Sequence, residues 1–136
     1  GCFSISFSKR EKFLVGWETK PSFSVSQNED RAQTLFLLQQ TLKCGFMRRD
    51  FSDKTLKYEV RSLEDLIKYI IPHFDKYPLF SKKQKDFELF KRVCFLMQIE
   101  SHKEKRGLNK IMNLAFQMNP GSKRKYTKAE MQKALR

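Results

Sequence analysis

The residues best suited to nucleophilic or metal chemistry are few and far apart in this chain. There are three cysteines, Cys2, Cys44 and Cys94, and two histidines, His73 and His102. Structural zinc sites use closely spaced ligands, and the sequence contains no Cys-x-x-Cys pair, which argues against zinc. We therefore expect the cysteines to be small apolar side chains in a reducing compartment. A redox or catalytic thiol is the alternative interpretation.

Paired carboxylates, which could serve acid–base catalysis, occur as Glu29-Asp30 and Glu64-Asp65. Each pair lies in the first turn of a predicted helix, where the helix dipole favours negative charge, so a structural role explains both. The chain has five glycines and no glycine-rich phosphate-binding loop, and it contains no nucleophile motif. The residue types alone therefore give no complete active site.

A cluster of lysines, Lys82, Lys83 and Lys85, follows Ser81, which is predicted to open a helix. Cations are unfavourable at this end of a helix because the dipole prefers anions there. The cluster is expected either to lie on a solvated surface or to hold a phosphate group together with the helix N–H groups.

The chain as a whole is strongly basic. It has 28 Lys and Arg residues against 15 Asp and Glu residues among 136, a formal charge of +13. Nucleic acid is the commonest partner of such a charge because each neutralised phosphate releases a counterion. An acidic membrane surface, or a charge that serves only solubility, is the alternative.

The apolar content predicts a folded domain. Apolar residues make up 40% of the chain and include 13 Phe, which argues against a disordered basic tail. The sequence has no apolar run of about 18 residues that could span a membrane. Its first residues lack the features of a secretion signal, so we do not expect a secreted protein.

The first secondary-structure elements predicted along the chain are β-strands. Residues 2–8 and 14–26 alternate between apolar and polar side chains, which is the period of a strand with one buried face. Two further strands are predicted over 46–51 and 54–61. Pro21 lacks an N–H group and suits a sheet edge or a bulge.

Helices are predicted between and after the strands. The first starts at Asn28 and ends at Gly45, and the second starts at a capping box on Ser62 and ends at Pro72. A third follows at the lysine cluster, and a fourth covers 108–115, where apolar residues recur at helical spacing.

Strand pairs between helices favour an α+β fold, in which an antiparallel four-stranded sheet has helices packed on one face. We assign residues 1–120 to this domain. Residues 121–136 are assigned to a basic C-terminal tail, in which Thr127 and Glu130 indicate a short helix. The second face of the sheet is left to solvent or to a ligand.

The open sheet face is predicted to mix hydroxyl, cationic and acidic side chains. Its members are Ser4, Ser6, Ser8, Arg10, Glu18, Lys20, Ser22, Ser24, Ser26, Arg48, Asp50, Lys57, Glu59 and Arg61. A two-stranded ribbon fits the major groove of DNA, where base edges present distinguishable donors and acceptors. Phosphate binding alone would need only Lys and Arg, so the mixture indicates base recognition. A solvated face is the alternative, since antiparallel sheets commonly expose one polar side.

Five segments, in this order, carry a resemblance to a known family. They are GCFSISF at 1–7, FSVSQNEDR at 23–31, KYEV at 57–60, SKKQKDF at 81–87 and AFQMN at 115–119. Over residues 1–120 the chain resembles a LAGLIDADG homing endonuclease of the single-motif type.

The resemblance implies a ββαββα unit whose sheet lies over double-stranded DNA and which pairs with a second copy or a second repeat of the same fold. It also implies a divalent metal, Mg²⁺, that promotes phosphodiester hydrolysis. In the family, a signature helix ends in the metal-binding acid directly before the position of Gly1. We therefore expect that acid just before Gly1, and no metal ligand within the sequence shown.

Three residues match supporting positions of the family's active site. The resemblance implies that Gln27 orders solvent near the scissile phosphate, that Arg31 is a nearby basic group, and that Lys83 stabilises developing negative charge. Without the resemblance, Gln27 would be a neighbour of the helix cap and Arg31 a surface charge.

The resemblance predicts a sequence-specific DNA endonuclease subunit for intron homing, in a mitochondrion, a chloroplast or the cytoplasm of a microbe. Two alternatives use the same scaffold. One is an intron maturase that binds folded RNA, and the other is a relative that binds nucleic acid without cutting it.

Overall fold

The computed structural model describes residues 2–118, 124 and 126–135. Four strands, β1 (Cys2–Lys9), β2 (Trp17–Asn28), β3 (Phe46–Asp50) and β4 (Thr55–Val60), form one sheet in the order β1-β2-β4-β3. Strand β4 runs antiparallel to both of its neighbours. The predicted α+β fold with a four-stranded antiparallel sheet is confirmed.

The described part of the chain also contains six α-helices. They are α1 (Ala32–Leu42), α2 (Leu63–Asp65), α3 (Ile71–Lys76), α4 (Ser81–Gln98), α5 (Lys105–Ala115) and α6 (Lys128–Lys133). A short 3₁₀ turn, Glu29–Arg31, leads from β2 into α1. Among the described residues no helix has the length and apolar character needed to cross a membrane.

The chain forms two compact units. Unit one comprises residues 1–3 and 22–79, and unit two comprises residues 4–21 and 80–136. Strand β2 contributes its first part to unit two and its second part to unit one. Its pairing with β4 begins at Phe23, so Pro21 lies outside that ladder, as a residue without an N–H donor should.

Aromatic rings and aliphatic side chains form the core of unit one. The ring of Phe3 lies 5.1 Å from that of Phe23 and 5.4 Å, edge-on, from that of Phe74. Tyr58 is fully buried, and its hydroxyl donates a 2.6 Å hydrogen bond to the carbonyl of Cys44. This bond satisfies the polar end of a ring that is otherwise surrounded by protein.

The prediction that Gly45 ends the first helix is wrong by two residues. Helix α1 ends at Leu42, and the left-handed residue after it is Lys43, whose N–H donates to the carbonyl of Gln39. Gly45 serves a different purpose, because a Cβ at this position would lie 2.7 Å from the Tyr58 ring. A close approach of backbone and ring, and not the helix end, requires the glycine.

The prediction that Pro72 ends the second helix is also wrong. The cap is as expected, since the Asp65 N–H donates to Ser62 Oγ at 3.3 Å. The chain then widens into a π-helical stretch, Leu66–Ile70, before α3 begins at Ile71 with Pro72 in its first turn. The helical segments follow one another without a break from Leu63 to Lys76, so Pro72 lies inside a continuous helical run and does not end it.

Unit two is built around helix α5 and the first hairpin. Trp17 packs with Leu108 and Met112 of α5 and with Met131 and Leu135 at the end of the chain. Thr127 caps α6 by accepting from the Glu130 N–H at 3.1 Å, as predicted. The segment assigned to a basic tail therefore supplies core residues to unit two. Residues 119–123, on either side of the proposed boundary at 120, lie outside the described residues.

Arg124 joins edge strand β1 to helix α5 within unit two. Its guanidinium donates to the carbonyl of Ile5 at 2.6 Å and to the carbonyl of Ala115 at 3.0 Å. The same group lies 4.8 Å from the centre of the Phe116 ring. Two charge-assisted hydrogen bonds and one cation–π contact thus fix this arginine.

Candidate nucleic-acid interface

The strand register of unit one gathers its polar residues on one face. Ser24 lies opposite Glu59, and Ser26 lies opposite Lys57. On the other side of β4, Lys57 lies opposite Arg48. Opposed residues of neighbouring strands share a face of the sheet. We call this surface the polar face, and the predicted residues that it brings together are Ser24, Ser26, Arg48, Asp50, Lys57 and Glu59.

Two further predicted residues extend the polar face. Ser22 has the strand parity of Ser24 and precedes the part of β2 that pairs with β4. Arg61 follows β4 with the parity of Glu59, and its Nη2 lies 2.8 Å from Glu59 Oε1. This ion pair places the Arg61 guanidinium on the polar face.

Glu59 is a buried charge on this otherwise accessible surface, with only 4% of the residue exposed. Its Oε1 lies 2.8 Å from Arg61 Nη2 and 3.8 Å from Arg48 Nη2. Hydrogen-bond geometry is met at Oε2, which accepts from Arg61 at 3.4 Å, whereas the nearer Oε1 has no aligned donor. The sequence predicts that Glu59 contacts a base directly. In the structure its carboxylate is paired with the two arginines, so a base amino group could reach it only if they moved.

The two arginines that cover Glu59 remain accessible themselves. Side-chain exposure is 59% for Arg61 and 53% for Arg48. The Arg61 guanidinium lies 5.5 Å from the centre of the Phe46 ring, and Phe46 lies opposite Glu59 in the register. Arg61 is therefore held by a carboxylate and an aromatic ring while much of its side chain faces solvent.

Three residues of the polar face were not identified from the sequence: Asn28, Phe46 and Thr55. Thr55 lies opposite both Asn28 and Asp50, and Phe46 lies opposite Glu59. The signal was available, because each has the strand parity of its predicted neighbours. Phe46 was missed because an aromatic side chain is expected on the apolar face.

The turn between β3 and β4 is fixed by two aspartates. Asp50 Oδ1 accepts from the hydroxyl and the N–H of Ser52 at 2.6 and 3.0 Å. Asp53 Oδ1 accepts from the corresponding groups of Thr55 at 2.6 and 3.1 Å. The Ser52 hydrogen bonds lower the pKa of Asp50, since they favour the ionised carboxylate. Asp50 therefore presents an acceptor at the end of the polar face.

Unit two holds the remaining predicted face residues, which are Ser4, Ser6, Ser8, Arg10, Glu18 and Lys20. Arg10 Nε and Glu18 Oε2 form a 3.0 Å ion pair, and the hydroxyl of Ser6 donates to the carbonyl of Lys20 at 3.4 Å. Trp17 and Thr19, which alternate with Glu18 and Lys20, are buried. The predicted division into a polar and an apolar side therefore holds along this part of β2.

The two candidate catalytic residues of unit one lie near the end of β2 and in the turn that follows it. Gln27 is half-buried and pairs opposite Leu56, so it has the parity of Val25 and faces away from the polar face. Arg31 is exposed at the end of the 3₁₀ turn. Neither residue is part of the surface formed by the serines.

Lys83, the third candidate, belongs to unit two. It is exposed in the first turn of α4, together with Lys82 and Lys85, and no acidic residue lies in that turn. The predicted position of the lysine cluster at a helix start is confirmed. The three lysines make the start of α4 electropositive, and a helix N-terminus with this charge favours the binding of an anion.

The described residues do not form a metal site by themselves. No group of three or more His, Cys, Asp or Glu side chains converges among them. Burial raises the pKa of Cys94 to about 12 and also raises the pKa of Cys44, which fits the apolar role expected of these two thiols. Burial likewise lowers the pKa of His102, the half-buried histidine of unit two.

The chain matches one known protein family. The family model described as LAGLIDADG endonuclease matches residues 1–94 of the chain. That range contains the whole polar face and the lysine cluster.

Curated relatives agree with this family. The chain is 34% identical over 122 residues to "Probable intron-encoded endonuclease 3" of Neurospora crassa, which covers 89% of this chain and 23% of the relative. It is 34% identical over 98 residues to "Probable intron-encoded endonuclease Cox1-I1b" of Schizosaccharomyces pombe, covering 72% of this chain and 25% of the relative. The chain thus spans about a quarter of the length of the curated relatives that it matches.

Solved structures share the fold. The homing endonuclease I-TnaI superposes with a TM-score of 0.84 at 28% identity, covering 98% of this chain and 86% of that one. I-SmaMI bound to an uncleaved DNA target in the presence of calcium ions superposes with a TM-score of 0.87 at 33% identity, covering 98% of this chain and 44% of that one. I-LtrWI, a LAGLIDADG homing endonuclease bound to target DNA, gives 0.85 at 33% identity, covering 89% and 41%.

Proposed function

Because the chain belongs to the LAGLIDADG endonuclease family, we propose that it is a subunit or half of a sequence-specific endonuclease for double-stranded DNA that acts in intron homing. The observation that carries the proposal is the polar face of unit one. There the register aligns hydroxyl, cationic and carboxylate groups on one exposed side of paired strands.

The chemistry of the polar face suits base edges better than phosphates. Arginine can donate two parallel hydrogen bonds to guanine, and an ionised aspartate such as Asp50 can accept from the amino group of cytosine. Serine hydroxyls can donate or accept, so Ser24 and Ser26 fit either kind of edge. A surface that only gripped phosphates would have no use for carboxylates.

Phosphate contacts are assigned to the excess positive charge of the chain, which totals +13. Contacts of this kind supply affinity without sequence preference, and they weaken as salt competes for the phosphates. Lys82 and Lys85, exposed at the start of α4, suit this task, since a helix N-terminus adds its N–H groups to their charge.

For the hydrolytic step we assign supporting roles to three residues. Lys83 is proposed to stabilise negative charge on the phosphate as it develops, Gln27 to orient solvent, and Arg31 to contribute positive charge nearby. A divalent ion, Mg²⁺ in this proposal, would activate water and neutralise the leaving oxygen when bound. The acid that would hold it is proposed to come from a signature helix upstream of Gly1.

A second unit of the same kind is part of the proposal. The chain covers 44% of the I-SmaMI chain, which fits a protein in which two copies or two repeats of this fold share one DNA site. An intron of an organelle or a microbe is the proposed coding context, in keeping with the intron-encoded relatives.

The test is selection of duplexes from a randomised pool by the purified chain, with a pool of structured RNA in parallel. We expect enrichment of one duplex sequence and binding that weakens steeply between 50 and 200 mM salt, by about 10³-fold or more for six or more phosphate contacts. Cleavage of the selected duplex in Mg²⁺, when the chain is joined to an acidic signature helix, completes the assignment. Preferred capture of structured RNA would favour a maturase, and sequence-specific binding without cleavage would favour a non-cutting relative.

A further inference from the structure

We propose that Arg61 recognises a guanine in the major groove, and that Glu59 and Phe46 are positioning residues that fix its guanidinium before DNA is bound. This inference rests on the proposed function and names one residue that sets its specificity. Glu59 is a charged side chain that is only 6% exposed, although it lies on the polar face of the sheet.

A carboxylate held away from water needs compensating charge. Burial of an unpaired ion is strongly unfavourable, so Glu59 must be paired in the folded chain. Two guanidinium groups supply that charge, with Nη2 atoms 2.8 and 3.8 Å from Oε1 for Arg61 and Arg48 respectively. The arrangement therefore ties the position of both arginines to one fixed carboxylate.

Arg61 is the more tightly held of the two arginines. It has the shorter ion pair, it donates a hydrogen bond to Glu59 Oε2, and its guanidinium lies over the ring of Phe46. These three contacts restrict the rotamers of Arg61 before a ligand is bound, so less conformational entropy is lost on binding. Its 59% exposure leaves the group accessible to a ligand in spite of them.

The geometry favours a base over a phosphate as that ligand. The negative charge of Glu59 offsets part of the positive charge of the pair, which weakens attraction to a phosphate. A guanidinium fixed in direction matches the O6 and N7 acceptors of guanine, which lie side by side at the major-groove edge. A phosphate can also accept two bonds from a guanidinium, so the base is favoured by the neighbouring carboxylate and by the position of Arg61 on the polar face.

Unit one contains a matched control pair. Arg49 Nε lies 3.1 Å from Glu29 Oε1, and the side chains are 55% and 43% exposed. Arg49 pairs opposite Leu56 and so has the opposite strand parity from Arg48. Arg49→Lys and Glu29→Gln therefore make the same chemical changes in an ion pair that is not on the polar face.

The first experiment is duplex selection with the chain and with Arg61→Lys. The substitution keeps the charge and removes the paired donors. We expect the unmodified chain to prefer G at one position, and Arg61→Lys to lose that preference by about tenfold or more while binding duplexes that lack this G equally well. Arg49→Lys is expected to leave every preference unchanged. A uniform loss of affinity for all duplexes in Arg61→Lys would identify a phosphate contact and overturn the inference.

Glu59→Gln separates positioning from simple structural support. Removal of the negative charge should raise affinity for unrelated duplexes while the preference for G falls, whereas a merely structural role would lower both together. Glu29→Gln serves as its control. If Glu59→Gln does not fold, Arg61→Lys alone decides, since that side chain is exposed.

A third measurement needs no DNA. The side-chain Nε–H of Arg61 should give an ordered NMR signal in the free chain, and Phe46→Ala should broaden it or shift it toward that of a mobile arginine. A mobile Arg61 in the unmodified chain would contradict positioning even where duplex binding is specific. If the unmodified chain selects no duplex at all, the proposed function itself fails, and the inference fails with it.

Discussion

The guanidinium of Arg124 donates a 2.6 Å hydrogen bond to the carbonyl of Ile5, a residue 119 positions earlier in the chain. Ile5 belongs to β1, an edge strand of the sheet, where carbonyl groups lack a neighbouring strand on one side. Arg124 also donates to Ala115 at the end of α5. One side chain therefore satisfies a carbonyl of the edge strand and links that strand to the end of α5.

Replacement of Arg124 should lower the free energy of unfolding more than is usual for a partly exposed residue. Hydrogen bonds to charged groups contribute about 1.5–3 kcal/mol each, so Arg124→Ala should lower the free energy of unfolding by about 2–4 kcal/mol. Arg106→Ala, on the exposed surface of α5, is the control and should change it by less than about 0.5 kcal/mol. Urea unfolding followed by circular dichroism measures both, and equal effects would contradict the role assigned to Arg124.

The close approach of Gly45 to Tyr58 predicts a severe effect of the smallest substitution. Gly45 has φ of +89°, and an added Cβ would also lie 2.9 Å from the Glu59 carbonyl oxygen. Gly45→Ala should lower the free energy of unfolding by more than about 2 kcal/mol, since backbone strain and overpacking combine. Lys43→Gly, at the left-handed residue after α1, should instead raise it by up to about 1 kcal/mol. Denaturant titration measures the free energy of unfolding of both variants. A stability gain in Gly45→Ala would contradict the close approach of Gly45 to Tyr58, and a loss in Lys43→Gly would contradict the corrected end of α1.

The buried thiol of Cys94 should make the free energy of unfolding fall at alkaline pH. Burial raises its pKa from 9.0 to about 12, so the folded chain keeps a proton that the unfolded chain releases. The stabilisation is fully present below pH 9 and is lost between pH 9 and about pH 12, with a slope of up to about 1.4 kcal/mol per pH unit. Cys94→Val should remove this share of the slope. Urea midpoints at pH 8 and pH 10 under reducing conditions measure it, and identical slopes in the two proteins would contradict the assignment.

The division of the strands into two faces could be predicted because it is local. Ser24 and Val25 differ by one position, and the period of a strand decides their sides. The capping residues Ser62 and Thr127 were likewise identified correctly, because their partners lie three residues away.

The features that could not be predicted from the sequence depend mostly on contacts between residues far apart in the chain. The need for Gly45 depends on Tyr58, thirteen residues later, and one ion pair of Glu59 depends on Arg48 of the neighbouring strand β3. Pro72 was misplaced because the π-helical stretch before it has no known local signature. The residues of the polar face follow from local strand parity and were predictable, whereas the ion pairs among them join separate strands and were not.

Lys57 should distinguish preferred from unrelated DNA. It lies on β4 between Ser26 and Arg48, in the centre of the polar face. Lys57→Ala should weaken binding to the selected duplex by about five- to a hundredfold, and binding to random duplexes much less. Lys43→Ala removes the same charge outside the polar face and is the control. Competition titrations at fixed salt measure both, and an equal loss on the two kinds of duplex would show that Lys57 touches only phosphate.

Lys83 should affect cleavage more than binding. A cation that stabilises negative charge in the transition state contributes little to the bound ground state, so its loss appears in the rate. In the chain joined to an acidic signature helix, Lys83→Ala should slow single-turnover cleavage of the selected duplex by about 100-fold and change duplex affinity by less than about threefold. Lys82→Ala and Lys85→Ala remove neighbouring charges from the same helix turn and should leave the rate within about threefold. If all three variants slow cleavage equally, the cluster acts through its total charge, and the specific role proposed for Lys83 is wrong.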